Sequence, residues 1–468
     1  MVSPRARLSS QTVLLISYHF HPTNEIGGRR TTALARHLAA RGLRVIVVSA
    51  FGHQDVRPGT EILPGIIAFP VKQPRRLLLD SLVSLKQGAA PSPKAAQRTA
   101  QKADATARSA GIMSRSKAFA RRLFFRVVFF MDAHKKWAWR ASRAATTVGR
   151  KYGALALVSS SPPKTVLLAG ALAAKRLRIP HIADFRDPWT DAVSTDPQHR
   201  TEYLLQLPLE KWVVRSAACV TSAGAAVAHS LSSRYPAARQ KIHVVRNGYD
   251  GEARPSLSRE TGGRLAILFA GDLYLGRDPF PLLRSLEDLL QRPDVDRSRI
   301  SLTLMSRVES YGNRSLADWL VGKACAPIVT LLPHLPPQAV AEEASRATVL
   351  VNLAQQQPYS VPAKTYEHLI SGREMLLVCE NDCETAQLVK GVRGVNQVDT
   401  RDPSALERTL FDLYRRHAVE GSMTVPTVEE VRKFSREAPN EQFWCLIEKL
   451  AGLGPDLPRE ANLSLTAS

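Results

Sequence analysis

The stretch VLLISYHFHPTNEIGGRRTTALARHLAARGLRVIVV, residues 13–48, decides the fold class. Val13-Leu-Leu-Ile16 is a short apolar run, a polar loop leads to Gly27-Gly28, and Leu34 and Leu38 recur at helical spacing between Arg29 and Arg41. Gly42 stops that helix and Val45-Ile-Val-Val48 supplies the next buried strand, so the segment predicts a β-α-β opening. Downstream, short β-branched runs return at Leu155–Val158, His181–Phe185, Ala218–Thr221 and Ile242–Val245 with helix-like stretches between them. This is the text of a parallel sheet, and it completes one Rossmann-like domain over residues 1–250.

The Gly/Ser/Pro-rich text GEARPSLSRETGGR, which starts at Gly251, reads as a linker over residues 251–263. A second series of strands then begins, at Leu265–Phe269, Leu302–Met305, Ile328–Leu332, Val349–Leu353 and Met375–Val378, and predicts a second Rossmann-like domain over 264–426. Residues 427–452 read as a closing helical stretch. There Thr427 and Glu430 have capping-box spacing, Pro439 is expected to break the run, and Phe434, Phe443, Trp444 and Leu446 are expected to pack back on the first domain. The fold class is therefore α/β, with two tandem domains.

At 468 residues the chain is too long for one ordinary core, and its 44% hydrophobic and 23% charged content is that of a packed globular protein. The formal charge of +22 implies an anionic partner: nucleic acid, a phosphate-bearing substrate or an acidic membrane surface. Eighteen Lys/Arg against three acids between Val71 and Arg150 supply +15 of it, which marks a basic insertion at about 71–140 within the first domain. Gly88–Ala110 reads either as an exposed helix or as a disordered insertion, and Ser114–Met131, with its arginines and phenylalanines, equally as core or as a membrane-facing helix. Zinc-finger spacing is absent and the aromatic residues are bunched rather than interleaved, which argues against nucleic acid.

Five scattered cysteines argue against a disulfide framework and for a reducing cytoplasm. Cys379 and Cys383 lack a second Cys/His pair at metal spacing, so no metal ion is expected. The apolar run behind Arg5 and Arg7 is a strand rather than a signal peptide, and no run approaches the roughly 20 residues of a membrane span. Any membrane contact is expected to be peripheral.

Four segments carry candidate chemistry. Gly27 and Gly28, at the entrance to the first helix, let backbone amides approach a phosphate or sugar, although plain turn chemistry explains them too. In Ile182-Ala-Asp184-Phe-Arg186-Asp187-Pro-Trp189 a strand delivers two carboxylates, a guanidinium and an indole, either as a ligand site or as an ion pair fixing a turn. Phe269-Ala-Gly271 leads through a glycine-punctuated loop to Arg277, whose planar fork fits a diphosphate leaving group. Last, Tyr359 to Glu367 places Pro362 at a helix start, Lys364 where it adds positive charge, and Glu367 where it can accept from a ribose diol. A solvated lysine and a surface glutamate are the alternatives.

Together these residues resemble the family 4 glycosyltransferases of the GT-B fold, in the branch with a D-F-R-D-P-W segment. The likeness runs from the 13–48 opening through Ser160-Ser-Pro-Pro163, Asp184-Phe-Arg-Asp-Pro-Trp189, Glu210, Ala218–Ser222 and Val245–Asp250. It continues at Gly271–Pro279, His334-Leu-Pro336 and Val361–Glu367. The resemblance implies two Rossmann-like domains facing across a cleft and a retaining transfer from a nucleotide-sugar, without a cofactor or metal ion. The nucleotide belongs to the C-terminal domain and a lipid-linked or saccharide acceptor to the N-terminal one. By position, Gly28, Gly271, Arg277, Pro362, Lys364 and Glu367 are the donor residues, Gly27 and Trp189 face the acceptor, and Asp184, Arg186 and Asp187 are the catalytic candidates. The sequence departs from the family at Tyr359, where many relatives have a glutamate, and at Arg186-Asp187, where many have a histidine. An anionic membrane surface is a further partner that the charge favours. A nucleotide-sugar epimerase of the same fold and a non-catalytic basic binding protein are the rival readings.

Overall fold

A computed structural model describes residues 11–23, 26–50, 56–73, 132, 134–191, 200–252, 262–274, 276–402 and 404–453. Nearly all of the basic insertion, including Gly88–Ala110 and Ser114–Met131, lies outside the described residues, as does most of the 251–263 linker. Contacts group the chain into two compact units: residues 1–185, 189–220 and 450–468, and residues 186–188 and 221–449.

The strands are β1 (Thr12–Ser17), β2 (Arg44–Ser49), β3 (Thr60–Leu63), β4 (Ile66–Pro70), β5 (Ala154–Ser160), β6 (His181–Phe185), β7 (Cys219–Ser222) and β8 (Ile242–Val244), in the sheet order β3-β4-β2-β1-β5-β6-β7-β8. Pairing is parallel from β4 through β6 and antiparallel between β3 and β4. Every residue of β1 and β6 is buried, as expected of strands covered on both faces. The helices are α1 (Ile26–Ala40), α2 (Lys135–Lys151), α3 (Thr165–Leu177), α4 (Arg200–Ser216) and α5 (Ala225–Arg234). α2 turns Trp137, Ala138, Ala141 and Ala145 inward against β1 and α3, where they join a core containing Leu14, Ile16, Ile46 and Val166.

A second sheet collects β9 (Leu265–Ala270), β10 (Ile300–Met305), β13 (Val329–Leu332), β14 (Val349–Leu353), β15 (Glu374–Cys379) and β16 (Val395–Asp399), in the order β13-β10-β9-β14-β15-β16, and is wholly parallel. A small ribbon, β11 (Ser310–Tyr311) and β12 (Arg314–Ser315), stands apart. Helices α6 (Phe280–Leu289), α7 (Leu316–Leu320), α8 (Pro337–Arg346), α9 (Ala363–Leu369), α10 (Glu384–Val389) and α11 (Ala405–Tyr414) alternate with the strands, and the core runs from Leu265 and Ile267 to Leu410 and Leu413. Both halves are thus Rossmann-like, as the apolar runs predict.

The closing stretch forms two helices, α12 (Val428–Arg432) and α13 (Glu437–Ala451). The Thr427–Glu430 capping box is present in both directions. Pro439 does not make the break, which falls at residues 433–436. It sits in the first turn of α13, where its missing N–H has no intrahelical partner to lose. Phe434 packs with Tyr249, a residue of the predicted first domain, and with Tyr366, Leu369 and Met375. Gly248 is needed there, because a Cβ would stand 2.7 Å from Phe434 O and Arg436 N.

Candidate active site

In the second unit the carboxyl ends of β9 and β10 lie side by side, joined by Gly271 N–H donating to Met305 O at 2.8 Å. Ligands of parallel sheets bind at such strand ends. Gly271 opens the loop after β9, and its lack of a Cβ is required: one added there would overlap Lys364 Nζ and come within 3.3 Å of Lys364 Cε and Phe269 Cζ. Lys364, from the first turn of α9, therefore spreads its ammonium over the Gly271 backbone, with the Phe269 ring centroid 5.6 Å away. Burial, reinforced by the nearby Arg277, pulls Lys364 down to about 8, while Glu367 and Asp272 partly oppose this. The shift places Arg277, Glu367, Asp272 and Arg307 all within electrostatic reach of the lysine.

Arg277 is positioned by a loop that glycine makes possible. Gly276 has φ +79°, and a side chain there would meet Gln355 O at 2.8 Å. The Arg277 guanidinium lies 4.5 Å from the centroid of the exposed Tyr274 ring, and its buried Nε has no hydrogen-bond partner among the described residues. Arg307, which follows β10, reaches Asp272 at 3.7 Å. Pro362 is the buried residue that precedes the first turn of α9, and its carbonyl accepts from Thr365 N–H at 2.9 Å. Glu367 is exposed one turn beyond Lys364. Lys364 thus sits against Gly271, with Pro362 and Glu367 at the cap and on the body of the same short helix, and Arg277, Asp272 and Arg307 are among the charges that act on the lysine.

The first unit gathers its candidates differently. Asp184, at the end of β6, is 1% exposed, and its oxygens accept from Arg30 Nε at 2.9 Å, Arg30 Nη2 at 3.0 Å and Ser160 Oγ at 2.6 Å. A buried carboxylate held by a bidentate guanidinium is a structural anchor, so Asp184 is removed from the catalytic candidates. Its bidentate partner is Arg30. Trp189 is likewise corrected: at 1% exposure it offers no face to an acceptor, and its indole N–H donates to Gln206 Oε1 at 2.8 Å. Lys164 Nζ closes that network by donating to Trp189 O and Gln206 Oε1. Gly27 and Gly28 stand in the first turn of α1. A Cβ on Gly27 would meet His19 Cδ2 at 2.9 Å, and one on Gly28 would meet Phe20 N at 3.2 Å, so both glycines let the helix seat on its own loop.

Arg186 and Asp187, grouped with the second unit, form a loose pair at 3.8 Å, with the Arg186 side chain 12% and the Asp187 side chain 51% exposed. A hollow of about 750 Å³ in the same unit is lined by Ala225, His229, Arg246, Tyr359 and Glu384, among others. Glu384 is committed there to Ala225 N–H and Ala226 N–H at the start of α5, and to Arg246 Nη1. Tyr359, where the expected glutamate is missing, lines this hollow. No group of three or more His, Cys, Asp or Glu able to hold a metal ion occurs among the described residues.

Two α/β units built on largely parallel sheets are the architecture of the GT-B fold. Residues 27–248 match the family described as Glycosyl transferase 4-like domain, which marks this segment as a glycosyltransferase domain. It is similar to sucrose-phosphate synthase from Thermosynechococcus elongatus, at 14% identity and TM-score 0.60, over 95% of this chain and 100% of that one. It is also similar to Anabaena Alr3699/HepE in complex with UDP and glucose, at 13% identity and TM-score 0.52, over 94% and 99%. A third similar structure is an alpha,alpha-trehalose 6-phosphate synthase from Burkholderia multivorans, at 11% identity and TM-score 0.58, over 95% and 97%. At these identities the likeness speaks to the fold. Among curated proteins none matches the chain in sequence.

Proposed function

We propose that this glycosyltransferase is a retaining enzyme that moves a sugar from a nucleotide-sugar to a lipid-linked or polysaccharide acceptor in cell-envelope or exopolysaccharide biosynthesis, at the cytoplasmic face of the membrane. The donor half rests on one observation: the buried Arg277 Nε without a partner, beside a lysine ammonium drawn over a bare glycine backbone. An orphaned buried donor is costly unless a ligand satisfies it. A diphosphate does so, and Arg277 and Lys364 then neutralise the charge that develops on it as the sugar leaves, which requires no metal ion or cofactor. Glu367 accepts from the ribose hydroxyls, Gly28 lies on the sugar-phosphate side, and Gly27 faces the acceptor. Arg186 and Asp187 are the residues proposed to act at the reacting carbon. The UDP and glucose bound to the Anabaena protein make a UDP-sugar the first donor to test. Retention and the acceptor class are supported by the sequence resemblance.

Purified protein is to be given UDP- and GDP-sugars with and without membrane lipid extract, and the anomeric configuration of the product read by NMR. Acceptor-dependent transfer with the donor's anomeric configuration is expected. An epimer formed without acceptor, or an inverted product, overturns the proposal.

A further inference from the structure

Helix α2 carries two tryptophans two positions apart, and helical geometry sends them to opposite sides. Trp137 is fully buried, with its indole N–H donating to Val71 O at 2.9 Å. Trp139 is 53% exposed, with the Arg143 guanidinium 4.8 Å from its ring centroid. The outward stripe contains Lys136, Trp139, Arg140, Arg143, Thr147 and Arg150, spaced as one helix face, and the helix has no acidic residue. Lys135, Lys136, Trp139 and Arg140 line a shallow hollow of about 440 Å³. The acid that precedes the helix, Asp132, is turned inward: its oxygens accept from Thr165 N–H at 2.9 Å and from Thr165 Oγ1 at 2.8 Å. Nothing on α2 itself therefore offsets its positive face.

A large indole left in water amid cations is the chemistry of the bilayer interface, where the ring settles among headgroups and the cations meet lipid phosphates. We infer that the outward face of α2, centred on Trp139, docks the protein on an anionic lipid surface. No described helix is long and apolar enough to cross a membrane. The inference rests on the proposed membrane-borne acceptor, and it assigns the surface that would bring the enzyme to it.

The test uses the full chain, its Trp139→Ala variant and a Lys136→Ala/Arg140→Ala/Arg143→Ala variant, sedimented with vesicles of phosphatidylcholine alone or mixed with phosphatidylglycerol. The wild type is expected to bind only the anionic vesicles. Each lost cation weakens binding about fivefold, so the triple variant loses roughly a hundredfold. Trp139→Ala loses at least threefold, with melting temperatures unchanged. Both variants retain the wild-type transfer rate on detergent-dispersed acceptor, which separates docking from catalysis. If wild type and variants bind vesicles as expected but no transfer occurs, the transfer reading fails and the docking surface stands. Equal binding to neutral vesicles, no vesicle binding, unchanged binding by the triple variant, or binding only to a duplex oligonucleotide each overturns the inference.

Discussion

Replacing Gly271 by alanine tests the donor cluster with the least disturbance to the fold. The new methyl would occupy the place of Lys364 Nζ, and its other close neighbours at 3.3 Å are Lys364 Cε and Phe269 Cζ. The lysine tip is the flexible partner, so it moves while the strand stays. Withdrawing one charged donor from a diphosphate costs about 1.5–3 kcal/mol of binding, which is roughly 10- to 150-fold in Kd. Stability should hardly change, because a lysine that burial has pulled down to about 8 regains solvent when displaced. Isothermal titration with the nucleoside diphosphate that best raises the melting temperature reads the affinity, and calorimetric melting reads the fold. An affinity within twofold of wild type refutes the reasoning, as does a loss of more than about 10 °C in Tm, since a 1 kcal/mol effect shifts Tm by about 2–4 °C at this size.

Asp184→Asn leaves Arg30 buried opposite a neutral amide and should cost about 3–5 kcal/mol, seen as a melting temperature lower by roughly 10 °C. Equal melting curves would show that the pair is dispensable. Alanine at the half-exposed Asp187 should leave melting nearly unchanged and lower the transfer rate, and unchanged kcat would remove it from catalysis. Gly170 of α3 faces Ser159 and His181, so that a Cβ would overlap Ser159 Oγ and stand 2.6 Å from His181 Nε2. Gly170→Ala should therefore destabilise by about 1–3 kcal/mol in urea unfolding, and a neutral result would show slack between α3 and the sheet. For pH, Lys364 at about 8 in the folded chain against an ordinary 10.5 means that the unfolded chain binds more protons between those values. Stability should rise with pH across that window and donor affinity should fall above pH 8. Lys364→Met should abolish the affinity slope, and a slope that persists assigns it to another group.

The sequence disclosed most of the fold because buried parallel strands are nearly continuous apolar runs: β6 and β14 match their predicted limits, and most other strands differ by one or two residues. It did not disclose the β3–β4 hairpin, made by four- and five-residue strands about Gly65, or the edge strand β16, whose Val395-Asn-Gln-Val-Asp399 lacks such a run. In the donor cluster the residue types were legible, since Gly, Arg and Lys after two strands already suggest a phosphate site. The Asp272–Arg307 contact was not, because it depends on β9 and β10 lying side by side. The Arg30–Asp184 pair spans 154 residues. Its one local signal is that Arg30 shares a helix face with Leu34 and Leu38, an inward position where a charge needs a partner. Position alone assigns Trp189 to the acceptor, whereas its burial and its bond to Gln206 place it in the core.

The central claim is that the second unit grips a pyrophosphate between the β9 loop and the start of α9. A crystal structure with a bound nucleoside diphosphate tests it most directly. Phosphate oxygens are expected within hydrogen-bonding reach of Arg277 and Lys364, with the ribose towards Glu367. A nucleotide seated elsewhere, with the Arg277 Nε still unpaired, would contradict it.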